Sequence, residues 1–365
     1  MCKVYNPIGC LTTIKSHLHR HNITEFNSLN EVIAFQNNYY TYKRQITSDH
    51  KYLIEKEKKN LSLEISQLNN SIKTDRINIE KELHKELEKV KQELNNLLSS
   101  TPTILFQRLT YPIKKWLLIK QIRQKELNLD FKIDQSVQKS VKIFTEKTNR
   151  YQYIVSQFSS AVNESSLIPL RELERKKRII DEVSLFIYGA LGEQKVVKEL
   201  GNLSDEYFLI NDFYLSFKTP IYNRQENDYI KSIQIDHILI SPSGIFLIET
   251  KNWSEGSLKN LSLRSPVEQI KRTSFALFKI LNKEISSLNN HLHLHQHHWG
   301  ERKIPIRNLI VLTSLKPKEE FQYVKILTLN EILSYVKYFN PIFSNRETQE
   351  IANYLLNLIN VDSNN

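Results

Sequence analysis

Residues 234–251 read QIDHILISPSGIFLIETK, and the way this stretch pairs with itself decides the architecture of the C-terminal half. Two apolar runs flank Ser241-Pro-Ser-Gly244. Proline at an early turn position and a glycine able to supply positive φ predict a hairpin with a four-residue turn. If Ile240 pairs with Ile245, Asp236 falls opposite Glu249, and directly opposed residues hold their Cβ atoms about 4.5 to 5.5 Å apart. Side chains alternate with period two, so Glu249 and Lys251 point the same way, toward the side of Asp236. Two carboxylates at that separation repel unless one is protonated or a cation lies between them. A buried ion pair in a mixed sheet is one reading of the spacing. A divalent metal site with a lysine beside it is the other. Oxygen ligation with open positions suits Mg²⁺ or Mn²⁺, and a neighbouring lysine would offset charge developing on a phosphoryl group. That chemistry is phosphodiester hydrolysis.

Outward from the hairpin, EYFLINDFYLSF, IPIRNLIVLTS and YVKILTL are further β-rich runs. Helical patterns lie between and after them: from Pro266 to about Leu288, from Leu329 to Phe339, and beyond a Ser344-Asn-Arg-Glu347 capping box. Upstream, GALGEQKVVKELGNL from Gly189 reads as a helix stopped by Gly201. This alternation is mixed α/β grammar.

The N-terminal part follows different rules. Ser28-Leu-Asn-Glu31 is a capping box that should start a helix through Val32, Ile33 and Phe35. From about Asp49 to Leu98 there is no Gly or Pro. Apolar residues recur at Leu61, Ile65, Leu68 and Ile72, then at Ile79, Leu83, Leu87, Val90, Leu94 and Leu97. That spacing predicts a stuttered coiled coil or a helix hairpin packed on its neighbours, with a homo-oligomer expected for the former. Prolines 102 and 112 are expected to interrupt the helix, with helical sequence resuming from about Lys114 to Asn163. RELERKKR, residues 171–178, reads as a solvated basic face or a phosphate contact. The expected organisation is a small helical segment over 1–46, a helical and coiled-coil region over 47–165, a basic helical linker over 166–186, and an α/β domain over 187–365 with its core at 187–314.

The chain has 365 residues and a formal net charge of +11, a surplus that attracts polyanions such as nucleic acid or an acidic membrane surface. No apolar stretch reaches membrane-spanning length and the N-terminus carries no signal-peptide pattern, so a cytoplasmic location is expected. The two cysteines, Cys2 and Cys10, are too few for a disulfide framework. Cys10, His17, His19 and His21 match no familiar zinc spacing and are expected to be ordinary helix and loop residues. The histidines of HLHLHQHHWG, 291–300, are expected in a polar loop. No phosphate-binding loop, dinucleotide glycine pattern, Ser/His/Asp order or CxxC motif is present, so the sequence carries no sign of ATPase, redox or protease chemistry.

An Asp followed about a dozen residues later by Glu-x-Lys on a hairpin resembles the PD-(D/E)XK nuclease superfamily. GALGEQKVVKEL (189–200), IDHILISPSGIFLIETKNWSEG (235–256) and SPVEQIKR (265–272) resemble, in order, the three signature blocks of its nuclease-related domain, NERD. The resemblance covers about Ile187 to Ser314. It implies a restriction-endonuclease-like α/β domain, a mixed sheet flanked by helices, behind a long all-α region. Asp236 and Glu249 would then be metal carboxylates, joined by the backbone carbonyl of Thr250. Lys251 would be the catalytic lysine. Glu193 would be the acidic residue on the first helix, reaching Mg²⁺ or Mn²⁺ directly or through water, and Gln269 the polar residue placing the scissile phosphate or the water. Ser265 stands where the family usually has Asn, and still caps a helix. The implied activity is a metal-dependent nuclease acting on DNA rather than RNA, in DNA processing or defence against foreign DNA. The alternatives are a non-catalytic DNA-binding scaffold oligomerised by its coil, and a nuclease held inactive by its helical region until triggered.

Overall fold

The structure is a computed structural model that describes residues 1–100, 105–253, 263–288, 303–314, 316–317 and 319–362. The histidine-rich stretch 291–300 and the Pro102 break lie outside these residues. In chain order the elements are β1 (Lys3–Tyr5), α1 (Gly9–Arg20), α2 (Leu29–Ser99), α3 (Leu105–Leu127), α4 (Leu129–Ser156), α5 (Phe158–Glu182) and α6 (Ser184–Leu200). Then follow β2 (Phe208–Asn223), β3 (Asp228–Ser241), β4 (Gly244–Lys251), α7 (Arg264–Leu288), β5 (Ile306–Leu312), β6 (Val324–Thr328), a 3₁₀ turn (Leu329–Glu331), α8 (Ile332–Lys337) and α9 (Asn345–Asp362).

Two compact units emerge, Met1–Asn37 with Arg175–Asn365, and Asn38–Glu174. The first 37 residues therefore belong with the sheet rather than forming a segment of their own. β1, which the sequence reads as part of a helical segment, is an edge strand parallel to β2. Three residues are too few to show a period, and the strand exists because Cys2 and Lys3 donate their N–H groups to the carbonyls of Leu203 and Tyr207.

In the unit Asn38–Glu174, the helical hairpin is intramolecular. Ion pairs join Lys91 to Glu126, Lys125 to Glu86, Arg76 to Asp134, Lys147 to Glu64 and Arg150 to Glu57. From Lys91 and Glu86, which pair with Glu126 and Lys125, to Glu57, which pairs with Arg150, partner numbers rise as those on α2 fall, so α3 and α4 return antiparallel along α2. Ile54 and Leu61 of α2 are buried against Ile154, Ala161 and Val162. The apolar seam read as a coil is thus covered, in part, by the chain's own helices. Pro112 does not break the helix but lies inside α3. Its ring fixes φ near −65°, a helical value, at the loss of one main-chain hydrogen bond. The breaks fall at Asn128 and Gln157 instead. Among the described residues, no helix is long and apolar enough to cross a membrane.

The other unit is built on a six-stranded sheet in the order β1-β2-β3-β4-β5-β6. β2, β3 and β4 are antiparallel, while β4, β5 and β6 run parallel. Each face carries its own core. Ile238, Ile240, Ile245, Leu247, Ile310 and Leu312 pack under α7 and α9, joined by Val267, Ile270 and Leu355. Leu209, Leu239, Phe246, Ile248, Leu309 and Val311 pack under α6 and α8, joined by Val196, Leu200 and Ile332. A sheet covered on both faces accounts for the continuous apolar run of β4, whose residues Gly244 to Thr250 are all buried.

The two capping boxes form. Ser28 accepts the N–H of Glu31 while Glu31 reaches back to the N–H of Asn27, and Ser344 and Glu347 exchange bonds in the same way. α7 begins at Arg264, so Ser265 is its second residue rather than its cap. RELERKKR lies in α5, where Lys176 pairs with Glu25 and Lys177 with Asp181, while Leu173 is buried. Trp253 packs half-buried against the larger core.

Candidate active site

The hairpin register is the one read from the sequence: Ile240 pairs with Ile245, and Ser241 with Gly244. Gly244 has φ +124°, and a Cβ there would lie 2.6 Å from the Pro305 carbonyl, so only glycine fits the turn. The ladder then runs to His237 opposite Ile248 and stops one pair short of Asp236 and Glu249.

It stops because the alternation of β3 breaks there. Ile238 and Ile235 join the same core although three residues apart, and so do Ile210 and Phe213 on β2. Period-two alternation would send them to opposite faces. The phase slips at Asp212 and Asp236, the residues the β2–β3 ladder skips, and Asp212 takes φ +47°. Such an irregularity re-aims a side chain. Asp236 thereby turns to the end of β4, where its Oδ2 accepts the Thr250 N–H at 2.6 Å.

Around it gather the other charges. Glu249 is 3% exposed and Lys251 23%, and Lys251 Nζ donates to Glu249 Oε1 at 2.7 Å. Glu193, 5% exposed, faces them from α6. Burial, then the Glu249 charge, pushes the Asp236 carboxyl well above the ordinary aspartate range. Burial likewise raises Glu193, with Asp212 and Glu249 adding to it against hydrogen bonds from Cys10. Burial alone would push the Lys251 ammonium down, but the charges of Glu249 and Asp236 outweigh it and hold it above its usual value. Oε2 of Glu193, Oε2 of Glu249 and Oγ1 of Thr250 are buried with no hydrogen-bond partner. Buried carboxylate oxygens are costly unless something positive meets them.

Two contacts bring α6 to this end of the sheet. A Cβ on Gly192 would lie 2.8 Å from Asn252 Cβ and 3.3 Å from Thr250 Cγ2, so helix and strand touch backbone to side chain. Asn252 Nδ2 donates to the Tyr188 carbonyl at 2.7 Å, and its Oδ1 accepts from Thr313. Glu193, one residue past Gly192, inherits its position from this approach.

Asp236, Glu249, Thr250, Lys251 and Glu193 are thus brought together. Gln269 is not tied to them: it is exposed on α7, lining an open groove with Asp228, Arg272 and Arg307. One turn further on, Thr273 donates to the Gln234 carbonyl at 3.4 Å, so α7 crosses the part of β3 that leads to Asp236. Asp212 and Cys10 are neighbours of the cluster that the sequence reading omits. The carboxylate inside FLINDFYLSF, where an apolar strand is interrupted by Asn211 and Asp212, was the available signal for the first. Nothing local marked Cys10, which arrives from α1.

A covered mixed sheet whose central hairpin ends in an Asp, a Glu and a Lys defines the class: it resembles the PD-(D/E)XK nucleases. More narrowly, the family model of the nuclease-related domain, NERD, matches residues 188–313, so this part of the chain is similar to that domain. No curated protein and no solved structure matches the chain.

Proposed function

We propose that the protein is a cytoplasmic metal-dependent nuclease that hydrolyses phosphodiester bonds, with DNA as substrate. The observation that carries this reading is the burial of several carboxyl groups around a single lysine, with one oxygen of Glu193 and one of Glu249 left without a partner. An ion pair alone would need one carboxylate; the surplus negative charge fits a divalent cation. Asp236, Glu249 and the Thr250 carbonyl would hold Mg²⁺ or Mn²⁺, with Glu193 reaching it directly or through water. Bound there, the ion would polarise the phosphodiester and make water more acidic.

The chain's own groups supply the rest. Lys251, kept protonated by Glu249 and Asp236, offers a fixed positive charge to a phosphoryl oxygen. The Thr250 N–H holds Asp236 at the end of β4 through Oδ2. The net charge of +11 favours approach of a polyanion.

The test is cleavage of supercoiled plasmid, linear duplex and single-stranded DNA by the full chain with Mg²⁺, Mn²⁺ or EDTA, beside Lys251→Ala and Glu249→Gln. The full chain is required because β1 and α1 belong to the unit that carries the site. Metal-dependent cutting that both variants lose supports the reading. DNA binding that survives EDTA, without cutting by any form, replaces it with a binding role.

A further inference from the structure

α1 carries two histidines one turn apart, His17 and His21, and Glu182 at the end of α5 stands against them. One ligand atom from each lies within 4.8 Å of the others. His17 Nε2 approaches Glu182 Oε2 at 3.2 Å, yet this buried ring nitrogen has no hydrogen-bond partner. The distance is that of a close ion pair, but the direction is not that of an N–H bond, and we give the direction more weight because hydrogen bonds are directional. Two donors that are each about 2.05 Å from a tetrahedral ion sit roughly 3.3 Å apart with neither pointing at the other. His17 and Glu182 already have that separation. The rings of His17 and His21 are 4.7 Å apart and inclined at 52°, so both can turn edge-on to a shared point.

We propose that His17, His21 and Glu182 bind a transition-metal ion of the zinc class at a site separate from the carboxylate cluster. Two imidazoles and one carboxylate suit Zn²⁺ over Mg²⁺ or Ca²⁺, which prefer all-oxygen shells. Three protein ligands leave a position for water. The backbone is held for the purpose: the His21 N–H is bonded to the carbonyls of His17 and Leu18, and its carbonyl accepts Arg175 Nη1 at 3.0 Å. Lys176 pairs with Glu25 at 2.7 Å beside it. His19, between the two ligands in sequence, faces away and is exposed, as helical spacing requires.

The ion would clamp the C-terminal end of α1 to the junction of α5 and α6. Seven residues earlier, about 10 Å along the helix axis, Cys10 hydrogen-bonds Glu193. The clamp therefore steadies the helix that packs against the carboxylate cluster without entering it.

The experiment uses the full chain with His291, His293, His295, His297 and His298 changed to Asn and Glu249→Gln, which removes the histidine-rich stretch and one ligand of the carboxylate cluster as competing sites. Co²⁺ is titrated and followed by its visible d–d bands, then displaced with Zn²⁺, and the melting temperature is read with and without Zn²⁺. One equivalent of Co²⁺ with visible bands, affinity weakened at least tenfold by His21→Ala and by Glu182→Gln but unchanged by His19→Ala, is the expected result. His21 and Glu182 are exposed, so changes there disturb packing less than a change at half-buried His17. Absence of Co²⁺ bands and of any Zn²⁺ effect on melting, or equal affinity in His21→Ala, overturns the proposal and leaves the trio a plain ion pair. Nuclease activity plays no part in the readout.

Discussion

Gly192→Ala tests how the site is assembled. In a helix interior, alanine is favoured over glycine by about 1 kcal/mol. Here the added methyl would start 2.8 Å from Asn252 Cβ and 3.3 Å from Thr250 Cγ2. Ordinary carbon contacts lie near 3.5–4.0 Å, so α6 must retreat from the end of β4 by roughly 0.7 to 1.2 Å. Overpacking of this kind costs about 1–3 kcal/mol, which leaves a net loss of about 0–2 kcal/mol. For a unit of this size each kcal/mol lowers the melting temperature by about 2–4 °C. Function should suffer more, because Glu193 is the next residue and a displacement of about 1 Å costs on the order of a hundredfold in rate. Thermal unfolding and plasmid cleavage, measured on the same preparation, separate the two effects. A variant that melts higher than the parent and cuts within twofold of it would refute the claim that close approach of α6 positions Glu193.

Other changes follow from the same geometry. Lys251→Ala should abolish cleavage and also cost about 3 kcal/mol, because it leaves Glu249, 3% exposed, without its partner; urea unfolding checks the second part. Asp236→Asn should do the opposite to stability while still removing activity. The folded state holds this carboxyl above its ordinary value of 3.8, so it binds more protons than the unfolded chain, and stability falls as pH rises from 3.8 through the raised value. The Asn variant should therefore melt higher than the parent at pH 7 in EDTA, and a lower value there would count against charge crowding. His237 is fully buried, bonded through Nδ1 to Asn211 Oδ1 at 2.8 Å, and burial pushes it down to about 3. The unfolded chain takes up the proton first, so stability is lost as pH falls from 6.5 toward 3, by at most about 5 kcal/mol. His237→Gln should flatten that limb of the acid denaturation curve.

Much of the site was legible because a hairpin turns spacing into geometry. The turn Ser241-Pro-Ser-Gly244 sets the register Ile240 to Ile245, which brings Asp236 to the same end of the hairpin as Glu249, while the aim of its side chain depends on the phase slip shared with β2. Glu193 was named from its family block; its proximity was not readable, since it depends on Gly192 meeting Asn252. Gln269 shows the limit of motif position, which identifies a helix and leaves the distance to a packed partner open. Pro112 lies inside α3 because its fixed φ is already a helical one, so a proline marks a helix end only where the chain also turns.

The amino-acid sequence by itself determined the apolar strand pattern, the capped helix starts at Ser28 and Ser344, and the Asp/Glu/Lys hairpin, all products of contacts between residues near in the chain. Tertiary structure alone decided what required distant segments to meet. β1 completes the sheet, α1 brings Cys10 to Glu193 and His17 to Glu182, and the phase slip at Asp212 and Asp236 aims a carboxylate at Thr250. A carboxylate is soluble anywhere on a surface. Only burial beside Glu249 and Glu193 raises this one well above the ordinary aspartate range, a shift that a bound cation would reverse.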